Sequence, residues 1–587
     1  MTWLWTVSAL TPLATALALL LLAADPVRGE AARLRLVRFA PASLVPVLVL
    51  TVLGPSSVGT LDVPWVFFGT TASLDSVGRP LLLVATVLYA AALSATSARG
   101  TDRPAVMSAL LLVCFVGNAT VFVAADAATF YLGYAVMSVC AYGLVVHSGT
   151  APARRAGRVY LALTMLSEMA VLVAVLLVVD AGGSRLVDAP AAVAASPHTS
   201  VIVVLLILGF GIKCGLFPLH EWLPLAHPAA PPPGSAVLSG AMIKAGLVGW
   251  LRFLPLGEVA LPVWSSVLIV LALVSAFAAL VPGALTRDPK VALAYSSISQ
   301  MGFLGVLVGV ALGAPELADA CVLAAVLYAV HHGMAKGGLF LSVTVWRLHG
   351  SGPWRGVVLA GMALLALAVA GAPLGSGAVA KYAGKSAVAS ADPGLVDVTA
   401  VLPFVGTVST LLLVRAAFCL LRSTEPEPRG VDQALVSWTV LVLGGTVATW
   451  YLAGTWSPVV SVPQLDAVTV WDATWPILLG LVVAGAVWAV ARTGRLPRQV
   501  SDELVPAGDL IVPVERLVGA TVRAADRGAA RVGTWRDAVQ TRTVAAAKRV
   551  PVSVLDRAED RLTGWVPSGV AVLVVASVVG VVLAVTR

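Results

Sequence analysis

Four lysines, Lys213, Lys244, Lys336 and Lys381, lie inside long apolar runs of this sequence, and His332 precedes Lys336 by four residues. An ammonium at the centre of a hydrocarbon layer costs at least about 2.5 kcal/mol. Lysines retained there are therefore candidates for proton handling. Burial favours the neutral amine and a nearby carboxylate favours the ammonium, so a lysine that changes partners can take up and release a proton. On a helix, His332 and Lys336 share one face, which suits a relay through water; the adjacent His331 faces elsewhere and is expected to pack. Glu168, deep in the run LTMLSEMAVLV, is the candidate carboxylate partner for a buried lysine.

Residues of this kind need a membrane-spanning scaffold, and the composition supplies one. Of 587 residues 59% are hydrophobic and 12% charged, with a mean hydropathy of +0.94, whereas about a quarter of a soluble domain is charged. The net charge of +8 is scattered through short loops and lacks the clustered basic and aromatic pattern of a nucleic-acid face. The five cysteines stand singly in apolar runs without histidines at ligand spacing, which reads as buried thiols and no metal site. No dinucleotide or phosphate-binding glycine motif, iron–sulfur set or haem site is recognisable, so no cofactor is expected. Whether the chain serves an enzyme is left open, and any electron transfer belongs to partners.

With about 20 apolar residues per crossing, the chain reads as an all-α polytopic membrane protein of about sixteen helices. Residues 1–104 hold the first three, 105–256 helices four to eight, 257–421 nine to thirteen, and 422–494 fourteen and fifteen. A basic amphipathic segment, 495–566, suits a membrane surface, and 567–587 form the final crossing. The first run has no basic n-region or cleavage site and reads as a retained helix. Arginine-rich loops (Arg33/Arg35/Arg38, Arg154/Arg155/Arg158, Arg287/Lys290) alternate with acidic or neutral ones. By the positive-inside rule this predicts a cell-membrane protein with both termini outside and 495–566 in the cytoplasm.

Two expected crossings, 199–224 and 357–388, contain breaks: Pro218 shortly after Lys213, and Pro373, Gly375 and Gly377 before Lys381. Broken backbone at membrane depth is tolerated where it is buried in protein or lines a hydrated cavity. The breaks fall in the seventh and twelfth helices, whose orientations are opposed, which predicts two inverted five-helix repeats.

The run IKCGLFPLHEWLPLAHPAAPPPGSAVLSGAMIKAG from 212, with ALAYSSISQMG from 292, HGMAK from 332 and PLGSGAVAK from 373, resembles the antiporter-like membrane subunits of complex I. That family includes the large Mrp cation/proton antiporter subunits and membrane subunits of hydrogenases and inorganic-carbon transporters. The resemblance covers residues 75–420 and implies a proton path. It places Lys213 as the helix-seven lysine, Lys244 as the central helix-eight group, His332 and Lys336 as the helix-eleven relay, and Lys381 as the exit-side lysine. It implies other membrane subunits as partners, protons as the moving ion, and a cytoplasmic enzyme module as a further partner in some assemblies. The segment 495–566 resembles a shortened lateral helix; contact with lipid is the alternative. The closing helices are similar to those of the largest complex I antiporter-like subunit.

One departure bears on Lys213. The family carries a Trp-Glu pair on the fifth helix, and its glutamate pairs with the helix-seven lysine. In FYLGYAVMS, from 130 to 138, the glutamate position is Ala135. Either Glu168 replaces it, or the first half-channel has lost its modulating pair and the subunit couples differently or is a scaffold. His220 and Glu221 read as caps of the broken helix bordering a water entry, and Asp126 as a helix-boundary residue.

Overall fold

The computed structural model describes residues 2–24, 29–65, 69–98, 100–391, 396–423, 425–493 and scattered positions from 508 to 523. The chain divides into Met1–Asp509 and Leu510–Arg587. Most of the expected basic segment 495–566, and all of the expected final crossing, lie outside the described residues.

The N-terminal third contains α1 (Thr2–Ala24), α2 (Glu30–Phe39), α3 (Val45–Leu53), α4 (Pro55–Val58), α5 (Gly78–Thr96), α6 (Pro104–Val123), α7 (Ala127–Val145), α8 (Ala151–Asp180) and α9 (Ala189–Ala195). The middle contains α10 (Thr199–Cys214), α11 (Trp222–Ala229), α12 (Pro232–Val237), α13 (Lys244–Phe253), α14 (Pro262–Ala278), α15 (Leu280–Leu285) and α16 (Pro289–Gly313). There follow α17 (Ala318–His349), α18 (Arg355–Ala370), α19 (Ser376–Ala387), α20 (Val398–Val401), α21 (Phe404–Ser423), α22 (Gln433–Thr455) and α23 (Ala467–Arg492). Two short strands, β1 (Leu61–Val63) and β2 (Thr70–Ala72), pair antiparallel with Asp62 opposite Thr71.

Helices dominate because a chain in lipid must pair its own backbone groups. Among the described residues fourteen stretches are long and apolar enough to cross a membrane, and Thr199–Cys214 is a shorter apolar helix. The protein is therefore a multi-pass membrane protein. Two expected boundaries differ. Arg33, Arg35 and Arg38 lie on α2, which runs through a 3-10 turn (Ala40–Leu44) into α3 as one span, Glu30–Leu53. The seventh crossing stops at Cys214 and does not reach 224.

Several acidic residues cap helices. Asp126, Asp288, Asp432 and Asp466 each accept first-turn N–H groups. Asp126 also accepts from the Thr71 N–H and hydroxyl at 2.7 and 2.8 Å, which ties α7 to β2 and gives it the boundary role expected.

The interior lies around α16 and α17. Every residue in the most apolar stretch of α16 is buried, so its serines and Gln300 face protein and not lipid. α14 and α21 pack along α16, α22 along α17, and α8 along α10. α1 and α23 are mostly exposed and form the periphery.

One ion pair joins distant parts of this bundle. Asp75 accepts the N–H groups of Val77 and Gly78 at the start of α5 and both terminal nitrogens of Arg252 from the end of α13. Burial pushes the Asp75 carboxyl up, but the Arg252 guanidinium and the two N–H groups outweigh it and hold it below the ordinary carboxylate value. A bidentate pair at the edge of the bundle fixes direction as well as contributing energy. Asp75→Asn should lower stability by about 1–2 kcal/mol, a figure at the modest end because the carboxylate is partly exposed. The difference from wild type should be fully present above the unfolded-state value of about 3.9. It should vanish as pH falls through the lower folded-state value. Thermal unfolding in detergent across pH measures both.

Candidate functional site

The first break is built by glycine. Gly215 adopts φ +73°, and the N–H groups of Gly215 and Leu216 turn back to the carbonyls of Ile212 and Gly211 at 3.0 and 2.9 Å, closing α10. The Trp222 indole also donates to Ile212 O at 2.7 Å. Lys213, in the last turn, is buried, and its Nζ donates to Ser138 Oγ at 2.7 Å. The ring centroids of Tyr134 and Tyr160 lie 5.3 and 6.0 Å from the ammonium, within cation–π range. Tyr134 is held in place by a 2.7 Å hydrogen bond between its hydroxyl and that of Ser167, which donates to Gly209 O.

Glu168, on α8, is buried beside this cluster, and its Oε1 has no hydrogen-bond partner among the described residues. The Ser138 hydroxyl donates to Tyr134 O at 2.8 Å while it accepts from Lys213. The hydrogen-bonding partner of Lys213 is thus Ser138, one turn beyond Ala135.

At the centre, a π-helical turn, Leu238–Met242, interrupts the eighth crossing immediately before Lys244. Such turns expose carbonyls and recur at functional sites. Lys244 Nζ donates to Ser239 O and to His332 Nδ1, both at 2.7 Å. With Nδ1 accepting, the neutral ring carries its hydrogen on Nε2, which is buried without a partner among the described residues. Glycines permit this approach. A Cβ on Gly240 would meet Gly333 O at 2.8 Å, and one on Gly333 would meet Gly240 O at 2.7 Å, so the two backbones touch where Lys244 reaches α17. Lys336, one turn beyond His332, turns to α16 and donates to Leu293 O at 2.8 Å.

The second break repeats the first. Gly371 adopts φ +101°, and the N–H groups of Gly371 and Ala372 return to Ala368 O and Leu367 O at 3.1 and 2.9 Å. Lys381, on α19, donates to Ala370 O, a carbonyl released at the end of α18, at 2.7 Å. Its chain runs through a slot made by Gly371 and Gly406, where added Cβ atoms would lie 2.9 Å from Cδ and 3.8 Å from Nζ. A cavity bordered by Lys381, Tyr382, Lys385 and Asp472 opens beside it.

The structure thus brings Lys244 and His332 into direct contact and gives Lys213, Lys336 and Lys381 separate partners. His220 and Glu221 follow the first break, their side chains 3.5 Å apart, and His220 borders a small cavity with Phe217 and Ser275. Ser297 bonds Ser239 at 2.8 Å and Gln300 bonds Ser409 at 2.7 Å, so the polar face of α16 joins neighbouring helices. The sequence reading missed Ser138 and Tyr134, whose i, i+4 spacing on α7 was the available signal. His331, expected to pack, is buried, and its Nδ1 lies 2.8 Å from Ser376 Oγ.

Residues 124–383 match the family described as NADH:quinone oxidoreductase/Mrp antiporter, TM. That stretch of the chain is similar to this family. It contains Lys213, Lys244, His332, Lys336 and Lys381. Hydrogenase-4 component B of Escherichia coli is 29% identical over 311 residues, covering 50% of this chain and 47% of that protein. NAD(P)H-quinone oxidoreductase chain 4 1 of Nostoc sp. is 31% identical over 297 residues, covering 49% and 53%. The chain spans about half the length of these curated relatives. The Mrp complex from Dietzia sp. DQ12-45-1b matches at a TM-score of 0.68 and 23% identity, over 98% of this chain and 63% of that one, which establishes the antiporter-like membrane fold.

Within this fold the Gly240–Gly333 contact sets the distance between Lys244 and His332. Gly333→Ala should destabilise the protein by about 1–3 kcal/mol through overpacking, measured by thermal unfolding in detergent. Gly356→Ala, where an added Cβ meets nothing within 4 Å, should leave stability unchanged to within about 0.5 kcal/mol.

Proposed function

We propose that this chain is a proton-translocating membrane subunit of a larger assembly of the complex-I-related or Mrp type. The observation that carries the reading is the buried Lys244–His332 hydrogen bond of 2.7 Å, placed between two broken helices that each hold a lysine. An ammonium donating to a neutral imidazole is a ready proton donor–acceptor pair: transfer moves the charge to the ring, and the unpartnered Nε2 hydrogen is then the one to leave. Lys213 and Lys381 are the groups through which protons reach and leave this centre, and Lys336 tunes or extends the central step.

Protons suit the site better than sodium because the central groups are cationic or basic donors, whereas a hard cation requires several oxygen ligands. The similar helix terminations at Gly215 and Gly371 support two inverted five-helix repeats, 105–256 and 257–421, each contributing one half of the path. In this reading the chain lies in the cell membrane with both termini outside and 495–566 on the cytoplasmic side, among other membrane subunits and lipid. Similarity to Hydrogenase-4 component B supports a second setting, in which proton flow is coupled to a cytoplasmic redox enzyme.

Ala135 in place of the helix-five glutamate, with Ser138 one turn on accepting from Lys213, makes the Lys213 end distinctive. Glu168, buried beside this cluster, leaves the first half-channel with a carboxylate near Lys213.

Reconstituted vesicles with an imposed pH gradient test the path. Lys244→Ala and Lys381→Ala should each lower proton flux by about 100-fold, the contribution of a positioned acid–base group. Glu168→Gln should lower it less than Lys213→Ala. Wild-type flux in both Lys244→Ala and Lys381→Ala would refute the path, and wild-type flux in Glu168→Gln alone would remove only the carboxylate.

A further inference from the structure

The route proposed above requires a proton to pass from the Lys244–His332 centre on α17 to Lys381 on α19. His332 cannot span that step by the contacts it makes, because its Nδ1 is held by Lys244 and its Nε2 bonds nothing on α19 among the described residues. The neighbouring residue makes the crossing. His331 is fully buried, its Nδ1 lies 2.8 Å from Ser376 Oγ at the first position of α19, and its Nε2 is buried and unpartnered among the described residues. The bond to Ser376 joins α17, which carries the central pair's His332, to α19, which carries Lys381.

The surroundings hold this geometry. The Tyr328 ring meets His331 edge-on at 5.7 Å, and its hydroxyl donates to Gln300, which donates to Ser409 on α21 at 2.7 Å. α19 is pressed onto the end of α18 at Gly377, where a Cβ would lie 1.8 Å from Ala368 O and 3.1 Å from the His331 ring. A purely apolar packing position would not leave one ring nitrogen hydrogen-bonded and the other bare, since an unmet buried polar atom costs about 1–3 kcal/mol.

We propose that His331 and Ser376 form the proton link between the Lys244–His332 pair and Lys381. The inference rests on the proton-path reading. In the forward step a proton arriving from the Lys244–His332 pair forms a new N–H bond at Nε2 of His331. The Nδ1–H bond breaks as its hydrogen passes to Ser376 Oγ, the serine O–H breaks, and its hydrogen forms a new N–H bond on the neutral Lys381 amine, with water completing the gaps. One proton moves, no electrons are exchanged, and the imidazole shifts tautomer until reset. Serine at the head of the broken helix makes the link sensitive to any displacement of α19.

The test uses the full chain in reconstituted vesicles, with flux and thermal unfolding measured together. Ser376→Ala and His331→Gln, the second of which retains a side chain able to bond Ser376 without a second ring nitrogen, should each reduce flux about tenfold or more. Ser376→Thr, which keeps the hydroxyl, should retain flux. The double variant His331→Gln with Ser376→Ala should be no slower than the worse single variant, as expected of residues acting in one step. Should His331→Gln melt early, the contrast between Ser376→Ala and Ser376→Thr decides. A folded His331→Gln with wild-type flux, or equal flux in the two serine variants, overturns the link provided that Lys381→Ala is inactive. If Lys381→Ala conducts like wild type, the path itself fails and the link falls with it.

Discussion

An ammonium inside a membrane protein persists only beside an acceptor, and the core of this fold is arranged around that constraint. Lys244 donates to Ser239 O in a π turn, Lys381 to Ala370 O at a helix end, Lys336 to Leu293 O, and Lys290 to the carbonyls of Pro228 and Ala230 where α11 stops. At three of these four places the helix is broken, bulged or finished. The irregular backbone and the cations meet each other's requirements, so neither would be stable at that depth alone. Lys213 is met differently, by a serine hydroxyl and two aromatic faces.

Close backbone approach is the second requirement, and glycine supplies it at the points that matter. Gly240 and Gly333 let the π turn touch α17, which is how Lys244 reaches His332. Gly371 ends α18 and also leaves room for the Lys381 chain. These contacts are stiff because the surrounding interior is closely packed, so a small shift of a broken helix alters hydrogen bonding abruptly and not gradually. In the proposed path, groups with separate resting partners pass a proton by exchanging partners.

Much of this architecture was legible in the chain. Apolar runs identified the crossings, and the breaks near Pro218 and Pro373 lie within a few residues of where α10 and α18 terminate, because glycine and proline act locally on the backbone. The errors have equally physical sources. The seventh helix ends at Cys214 because Gly215, and not Pro218, takes the left-handed conformation that closes it. Arg33, Arg35 and Arg38 were read as a loop, although helical backbone continues through charged residues wherever it can expose them. Glu168 was offered as the substitute partner of Lys213 because topology places their helices side by side; the hydrogen bond that Lys213 makes is to Ser138.

The sequence by itself determined the class of protein, the lysines placed inside apolar runs and the backbone breaks near them, since hydropathy, charge and glycine or proline act through local or single-helix energetics. Only the tertiary structure decided which acceptor each lysine meets, that Lys244 bonds His332, that Lys213 bonds Ser138, and that His331 faces Ser376. Those pairings depend on helix rotation and on sub-ångström backbone approach, and the 3.6-residue period of one helix carries no information about the phase of its neighbour.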